Sequence, residues 1–284
     1  MRTLVALIIV AILVCPHRAD LYGKDRGKED TVKVPSGGPG VLPLEDITIT
    51  VIYDNRVYRD GFEPAWGFSC LITGTEKSIL FDTGGEGAIL MRNMERAGID
   101  PASIDLVFLS HGHWDHTRGL GHFFEKNKEV SVYCLKAFPE PFKEVVRDAG
   151  AGLIEADEPA DLCPAVHSTG TMGRRIKEHA LVLDTDRGLI VITGCAHPGI
   201  VKIVERAKEK WKRDIFFVMG GFHLMEHTRK QFDGIIADFH KLGVRYAAPC
   251  HCTGDGAIEA FKADYGDHFA LIGAGRVLTA EDFD

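Results

Sequence analysis

Leu109-Ser110-His111-Gly112-His113-Trp114-Asp115-His116 is the stretch that decides how this chain is read. Three histidines and one aspartate fall within the six positions from His111 to His116. Imidazole nitrogen and carboxylate oxygen are the donors that suit Zn²⁺ and related divalent ions. In Asp105-Leu106-Val107-Phe108-Leu109 an apolar run of four residues leads straight into the cluster. It reads as a buried strand that delivers ligands into the loop at its end. Gly112 allows a sharp turn, so His111 and His113 can converge on one ion. Asp115 and His116 follow at the start of a helix and can face a second ion.

Outward from this cluster, alternating and β-branched runs alternate with helical ones. Strands are expected at Ile47–Tyr53, Phe68–Thr73, Ser78–Asp82, Val130–Leu135, Ala165–Thr169, Ala180–Leu183, Gly188–Thr193, Asp214–Met219, Val244–Ala248 and Phe269–Ile272. Helices are expected around Ile89–Ala97 with Gly98 as its stop, Leu120–Phe124, Pro139–Val146, Pro198–Ala207 with Pro198 as first residue, Thr228–Leu242, and Gly256–Ala263. Strand ends fall at Asp82, His111, Cys195/His197, His223 and His251. Two sheets with helices outside bring such ends to one edge. The fold class is therefore α/β, a four-layer helix–sheet–sheet–helix sandwich.

The chain has 284 residues, 45% hydrophobic and 26% charged, which suits a globular protein. Its 33 Lys+Arg against 41 Asp+Glu give a net charge of −8. With no basic stripe, nucleic acid is not an expected partner. The seven cysteines are scattered except for Cys250 and Cys252, unlike a disulfide framework. Strand alternation places the Cys250 and Cys252 side chains away from His251. Residues 1–18 combine Arg2, an apolar run from Leu4 to Val14 and a polar flank, the pattern of a signal peptide or N-terminal anchor. A run of about a dozen residues is short for a membrane span, which needs about twenty. Export or membrane anchoring through this segment is expected, with a cytoplasmic location as the alternative. Residues 19–45, rich in Gly, Pro, Lys and Asp, read as a flexible linker, and residues 46–284 as the catalytic domain.

Ser110-His111-Gly112-His113-Trp114-Asp115-His116 resembles the H-x-H-x-D-H motif of the metallo-β-lactamase superfamily, and Leu80-Phe81-Asp82-Thr83-Gly84 the acid-bearing motif before it. Thr193–Gly199, Gly220–Leu224 and Pro249–Gly254 are similar to one branch, the 7,8-dihydropterin-6-methyl-4-(β-D-ribofuranosyl)-aminobenzene-5'-phosphate synthases. The resemblance implies two metal ions, most readily Zn with Fe or Mn as alternatives. It implies that His111, His113 and His197 hold one ion and Asp115, His116 and His251 the other. It places Asp82 behind the ligands, orienting them. Cys195 stands where many members carry a bridging aspartate, and is expected to pack beside the ligands. Ser168-Thr169-Gly170-Thr171-Met172 replaces the usual Gly-His motif.

Such a site activates hydroxide for attack on an ester, lactone or phosphoester of a small molecule. Asp115 orients the nucleophile and His223 is the expected proton donor or charge stabiliser. The alternatives are a synthase-like transferase that displaces pyrophosphate, and a non-catalytic metal-binding protein. No organic cofactor is expected. Trp114 is favoured over Trp66 as a pocket wall. His122, His167, His179, His227, His240 and His268 are read as surface or packing residues.

Overall fold

β-Branched and aromatic runs build two sheets whose inner faces meet. The structure is a computed structural model that describes residues 40–284. The expectations for residues 1–18, and for most of 19–45, lie outside the described residues. No helix among the described residues is long and apolar enough to cross a membrane. At the end of the expected linker, Leu42 exchanges backbone hydrogen bonds of 2.9 Å with Asp184 and Asp186, and Leu44 is buried.

The first sheet comprises β1 (Thr48–Tyr53), β2 (Ser69–Thr73), β3 (Ile79–Phe81), β4 (Leu106–Phe108), β5 (Ser131–Leu135), β6 (Gly152–Ala156) and β13 (Val277–Leu278), in the order β13-β1-β2-β3-β4-β5-β6. The second comprises β7 (Ala160–Cys163), β8 (Val166–Ser168), β9 (Leu181–Thr185), β10 (Gly188–Thr193), β11 (Ile215–Gly221) and β12 (Tyr246–Cys250), in the order β12-β11-β10-β9-β8-β7. Each sheet has a parallel half: β3 to β6 in the first, β10 to β12 in the second.

Alternation along the strands divides the core into three layers. Ile49, Val51, Phe81, Phe108, Ile190, Ile192, Phe217 and Met219 form the cluster between the sheets. Leu189, Val191 and Val218, one position out of phase, pack under α5 (Ile200–Trp211), α6 (Arg229–Leu242) and α7 (Asp255–Tyr265). Ile52, Leu80, Val107 and Val132 face α1 (Gly87–Ala97), α3 (Leu120–Phe124) and α4 (Glu140–Asp148). A one-residue slip in any of these strands would exchange the two faces. The result is the expected helix–sheet–sheet–helix sandwich.

Several boundaries differ from expectation. β6 and β7 were not legible as strands. β6 is an edge strand with half-exposed Leu153 and Ile154 and a charged Glu155, so it lacks a buried apolar run. Phe269–Ile272 is not a strand; Phe269 makes a single bridge to Ala247, and Gly275 at φ 89° turns the chain so that β13 pairs with β1 instead. Pro198 precedes its helix instead of opening it. Gly199, at φ 101°, is the cap, and α5 begins at Ile200. Thr228 does cap α6, with the Gln231 carboxamide accepting from its backbone N–H at 2.7 Å, and Gly243 closes that helix at φ 75°.

Candidate metal centre

The carboxyl ends of β3, β4, β10, β11 and β12 deliver Asp82, His111, Cys195 with His197, His223 and His251 to one region. Ligand sites in α/β sheets favour such edges. Asp82, Ala196, His223 and His251 all adopt left-handed backbone, with φ of 53°, 55°, 54° and 48°. This conformation costs a non-glycine residue roughly 1–3 kcal/mol. It turns each chain end sharply out of its strand and into the site.

His111, His113 and His197 converge. His111 Nε2 lies 3.0 Å from His113 Nδ1, and His197 Nε2 lies 3.1 Å from the same nitrogen. Beside them, Asp115, His116, Cys195 and His251 direct donor atoms to a common point, all within 4.8 Å of one another. His251 Nε2 is 3.3 Å from Asp115 Oδ2, and His116 Nε2 is 3.2 Å from Cys195 Sγ. The four-residue helix α2 (Trp114–Thr117) carries Asp115 and His116 on one turn. The residues expected at the site are therefore brought together.

The surrounding hydrogen bonds fix which nitrogen of each ring carries a proton. Asp82 is buried and accepts from the Ser110 N–H, the Ser110 hydroxyl and His116 Nδ1, each at 2.7 Å. The Ser110 hydroxyl gives its proton to that carboxylate, so it accepts from His111 Nδ1–H at 3.0 Å. Asn55 Oδ1 accepts from His251 Nδ1–H at 3.0 Å, while the Asn55 amide donates to the His251 carbonyl. In all three rings the proton lies outward, and Nε2 presents a lone pair to the cluster. His251 Nε2 is buried without a well-directed hydrogen bond. Inward lone pairs with no donor between them are what a divalent cation satisfies, so this donor set fits the metal pair that the motif implies.

Electrostatics point the same way. Burial, followed by the neighbouring histidines, pushes His111 well below its ordinary value. Burial, His223 and His113 push His197 down to about 3. For His116 burial acts downward, but the Asp82 carboxylate outweighs it and makes this ring more basic. Asp115 is driven upward by burial, yet the His251 and His116 rings beside its carboxylate prevail and hold it at about 2.

Three placements depart from expectation. Cys195 directs its sulfur into both groups of donors instead of packing beside them, because the loop turns at Gly194 and at left-handed Ala196. A Cβ on Gly194 would sit 2.0 Å from Ser110 Oγ, so only glycine lets the two loops approach this closely. Cys252 is also at the site: strand alternation ends at Cys250, and the left-handed His251 opens a 3₁₀ turn. Its sulfur groups with Cys195 and His223. Burial acts upward on Cys252, but hydrogen bonds from Cys195 and His223 hold its thiol well below the ordinary value. Trp66, not Trp114, forms the pocket wall. It lies 5.0 Å from the His251 ring and lines a cavity of about 430 Å³ with His223, Met225, Glu226, His227 and Cys252. Trp114 packs against Gly85 and carries Arg118 over its ring.

Glu178 carried no sequence signal, yet it shapes the site. The buried carboxylate accepts from the N–H groups of Cys195 at 2.9 Å, Ala196 at 2.8 Å and His197 at 2.8 Å. Burial pushes it up to about 7 despite these three donors. The adjacent His179 is structural, as expected for a histidine outside the motifs. Its Nε2 donates to the Leu109 carbonyl at 2.8 Å and its Nδ1 bonds Ser168 Oγ at 2.8 Å, bracing the strand that leads into His111.

The chain is similar to known proteins. Residues 67–211 match the family model of the metallo-beta-lactamase superfamily. The chain is 30% identical over 278 residues to a 7,8-dihydropterin-6-methyl-4-(beta-D-ribofuranosyl)-aminobenzene-5'-phosphate synthase of Methanocaldococcus jannaschii, covering 81% of this chain and 95% of that protein. Among solved structures, it is similar to Tm1679, a metal-dependent hydrolase of the beta-lactamase superfamily, with 28% identity and a TM-score of 0.68 over 82% of this chain and 98% of that one. YhfI of Bacillus subtilis, 14% identical with a TM-score of 0.58 over 82% and 99% of the two chains, shares the fold. From motif, geometry and these relatives together, the chain belongs to the metallo-β-lactamase superfamily.

Proposed function

We propose that the protein is a metal-dependent hydrolase that cleaves an ester, lactone or phosphoester bond in a small molecule. One observation carries this reading: two adjacent donor groups, His111/His113/His197 and Asp115/His116/His251, with Cys195 sulfur reaching both. When bound, a pair of divalent ions supplies Lewis acidity and an activated water. The protein's own residues do the rest. Asp82, Ser110 and Asn55 hold three imidazoles in the tautomer that offers Nε2 inward. Asp115, largely ionised above pH 2, orients the attacking group. His223 is exposed, its ring 4.3 Å from that of His197, and it borders the Trp66 cavity. From there it can protonate a leaving group. Trp66 and Met225 supply an apolar wall for the rest of the substrate.

A transferase reading is favoured by one observation, the 30% identical synthase relative that the chain covers almost end to end. There the same centre would hold a pyrophosphate leaving group while an aromatic amine attacks a pterin methylene carbon.

The test uses the metal-loaded protein with a phosphodiester, an acyl ester and a lactone, each followed by product release. Turnover that His113→Ala abolishes supports the hydrolase. Absence of turnover on all three, with pyrophosphate released only when a pterin pyrophosphate and an aryl amine are both present, replaces it with the transferase.

A further inference from the structure

We propose that Arg174 and Arg175, with Lys202, form an anion clamp for a phosphate-bearing end of the substrate, beside His197. The proposal rests on the small-molecule reading above and narrows its substrate class. A cleft of about 450 Å³ opens beside His197, and these three cations line it with Met172 and Pro198. Among the described residues none of the three has a carboxylate within 4.0 Å, and all three line the one cleft. In a chain of net charge −8, three uncompensated cations around one cleft are a local reversal of sign. Guanidinium forks match phosphate oxygens two at a time, and an ammonium adds a point charge. A carboxylate would neutralise one of the three; a phosphate monoester brings nearly two charges. Lys202 lies in the first turn of the twelve-residue α5, whose amino end adds a further preference for an anion.

The cations are carried by a closed hairpin, not by a free loop. Met172 and Glu178 exchange backbone hydrogen bonds of 2.9 and 3.1 Å, and Lys177 Nζ donates to the Gly173 carbonyl at 2.9 Å. Gly173 sits at φ 87°, and a Cβ there would lie 2.2 Å from the Ile176 carbonyl oxygen. Glu178 closes the hairpin with its backbone while its carboxylate holds the backbone of Cys195 to His197. One residue thus fixes the distance between the arginines and the metal centre.

The test compares wild type with the triple variant Arg174→Gln, Arg175→Gln, Lys202→Gln. Calorimetric titration of inorganic pyrophosphate into metal-free protein is expected to show binding weakened at least tenfold in the variant, with Zn²⁺ affinity unchanged. In the metal-loaded enzyme, KM for a phosphate-bearing ester should rise at least tenfold and KM for an uncharged ester should stay constant. Equal pyrophosphate affinity in the two proteins, no binding by wild type, or an equal KM rise for the uncharged ester would overturn the clamp. If neither protein turns over any ester while the pyrophosphate difference persists, the hydrolase reading falls and the clamp stands.

Discussion

Glu178→Gln separates what holds the site together from what holds the fold together. One carboxylate oxygen accepts from Cys195 and Ala196, the other from His197. An amide oxygen can replace the first. The amide nitrogen then faces the His197 N–H, donor against donor. One charge-assisted bond is lost, worth about 1.5–3 kcal/mol, and the two that remain become neutral and weaker. Against this, burial that pushes Glu178 up to about 7 penalises a carboxylate and not an amide. The expected net loss for the metal-free protein is therefore small, about 1–2 kcal/mol in urea unfolding, because an uncharged amide is cheaper to bury. The metal centre has no such compensation. The repelled His197 peptide swings its ring away from His111 and His113, and loss of a supporting partner typically weakens metal binding about 10–100-fold. Competition with a chromogenic chelator for Zn²⁺ measures this directly. Affinity within twofold of wild type would refute the claim that Glu178 positions the ligand loop.

Two further outcomes follow from particular contacts. Gly194→Ala places a methyl group 2.0 Å from Ser110 Oγ and 3.0 Å from Asp82 Oδ2, so it should cost about 1–3 kcal/mol and lower metal content together; a thermal melt and metal analysis unchanged from wild type would contradict the close approach. His179 is buried, and burial pushes it down to about 4, below its ordinary 6.5. Its neutral form is favoured by folding, so the stability it contributes is complete above pH 6.5 and lost as pH falls towards 4. Within that window it adds about 1.4 kcal/mol per pH unit to the slope of stability against pH. His179→Gln should flatten the metal-free protein's slope by that amount in urea titrations at pH 7, 6 and 5, and an unaltered slope would remove the assignment.

Much of this molecule could be read from short patterns. The ligand-rich loop after β4 was legible because its donors are adjacent in sequence and the strand before it is wholly apolar. His197 and His251 were legible because each follows a buried strand at its parallel end. Other features depended on information that residue type does not carry. Cys252 reaches the site only because His251 leaves the strand with left-handed backbone, which period-two alternation cannot anticipate. Glu178 looks like any surface acid until its hairpin is folded against the Gly194 loop. Sequence favours Trp114 over Trp66 because Trp114 lies inside the ligand loop, but Trp114 packs against Gly85 while Trp66 lines the cavity. β6 has no clear pattern in sequence because an edge strand needs little apolar surface.

The left-handed residues around the centre have an evolutionary consequence. Four of the six non-glycine residues of this kind among those described are Asp82, Ala196, His223 and His251. Each stores backbone strain that the two buried sheets outweigh. Replacing them with glycine relaxes that strain at the expense of the side chain. At Asp82 and His251 the hydrogen bonds lost would offset the strain relieved, so selection for heat resistance alone would gain little there. The first position to surrender is Ala196, whose methyl group bonds to nothing in the centre. Ala196→Gly offers stability at the least functional loss, and its absence from this chain marks a margin the fold has not used.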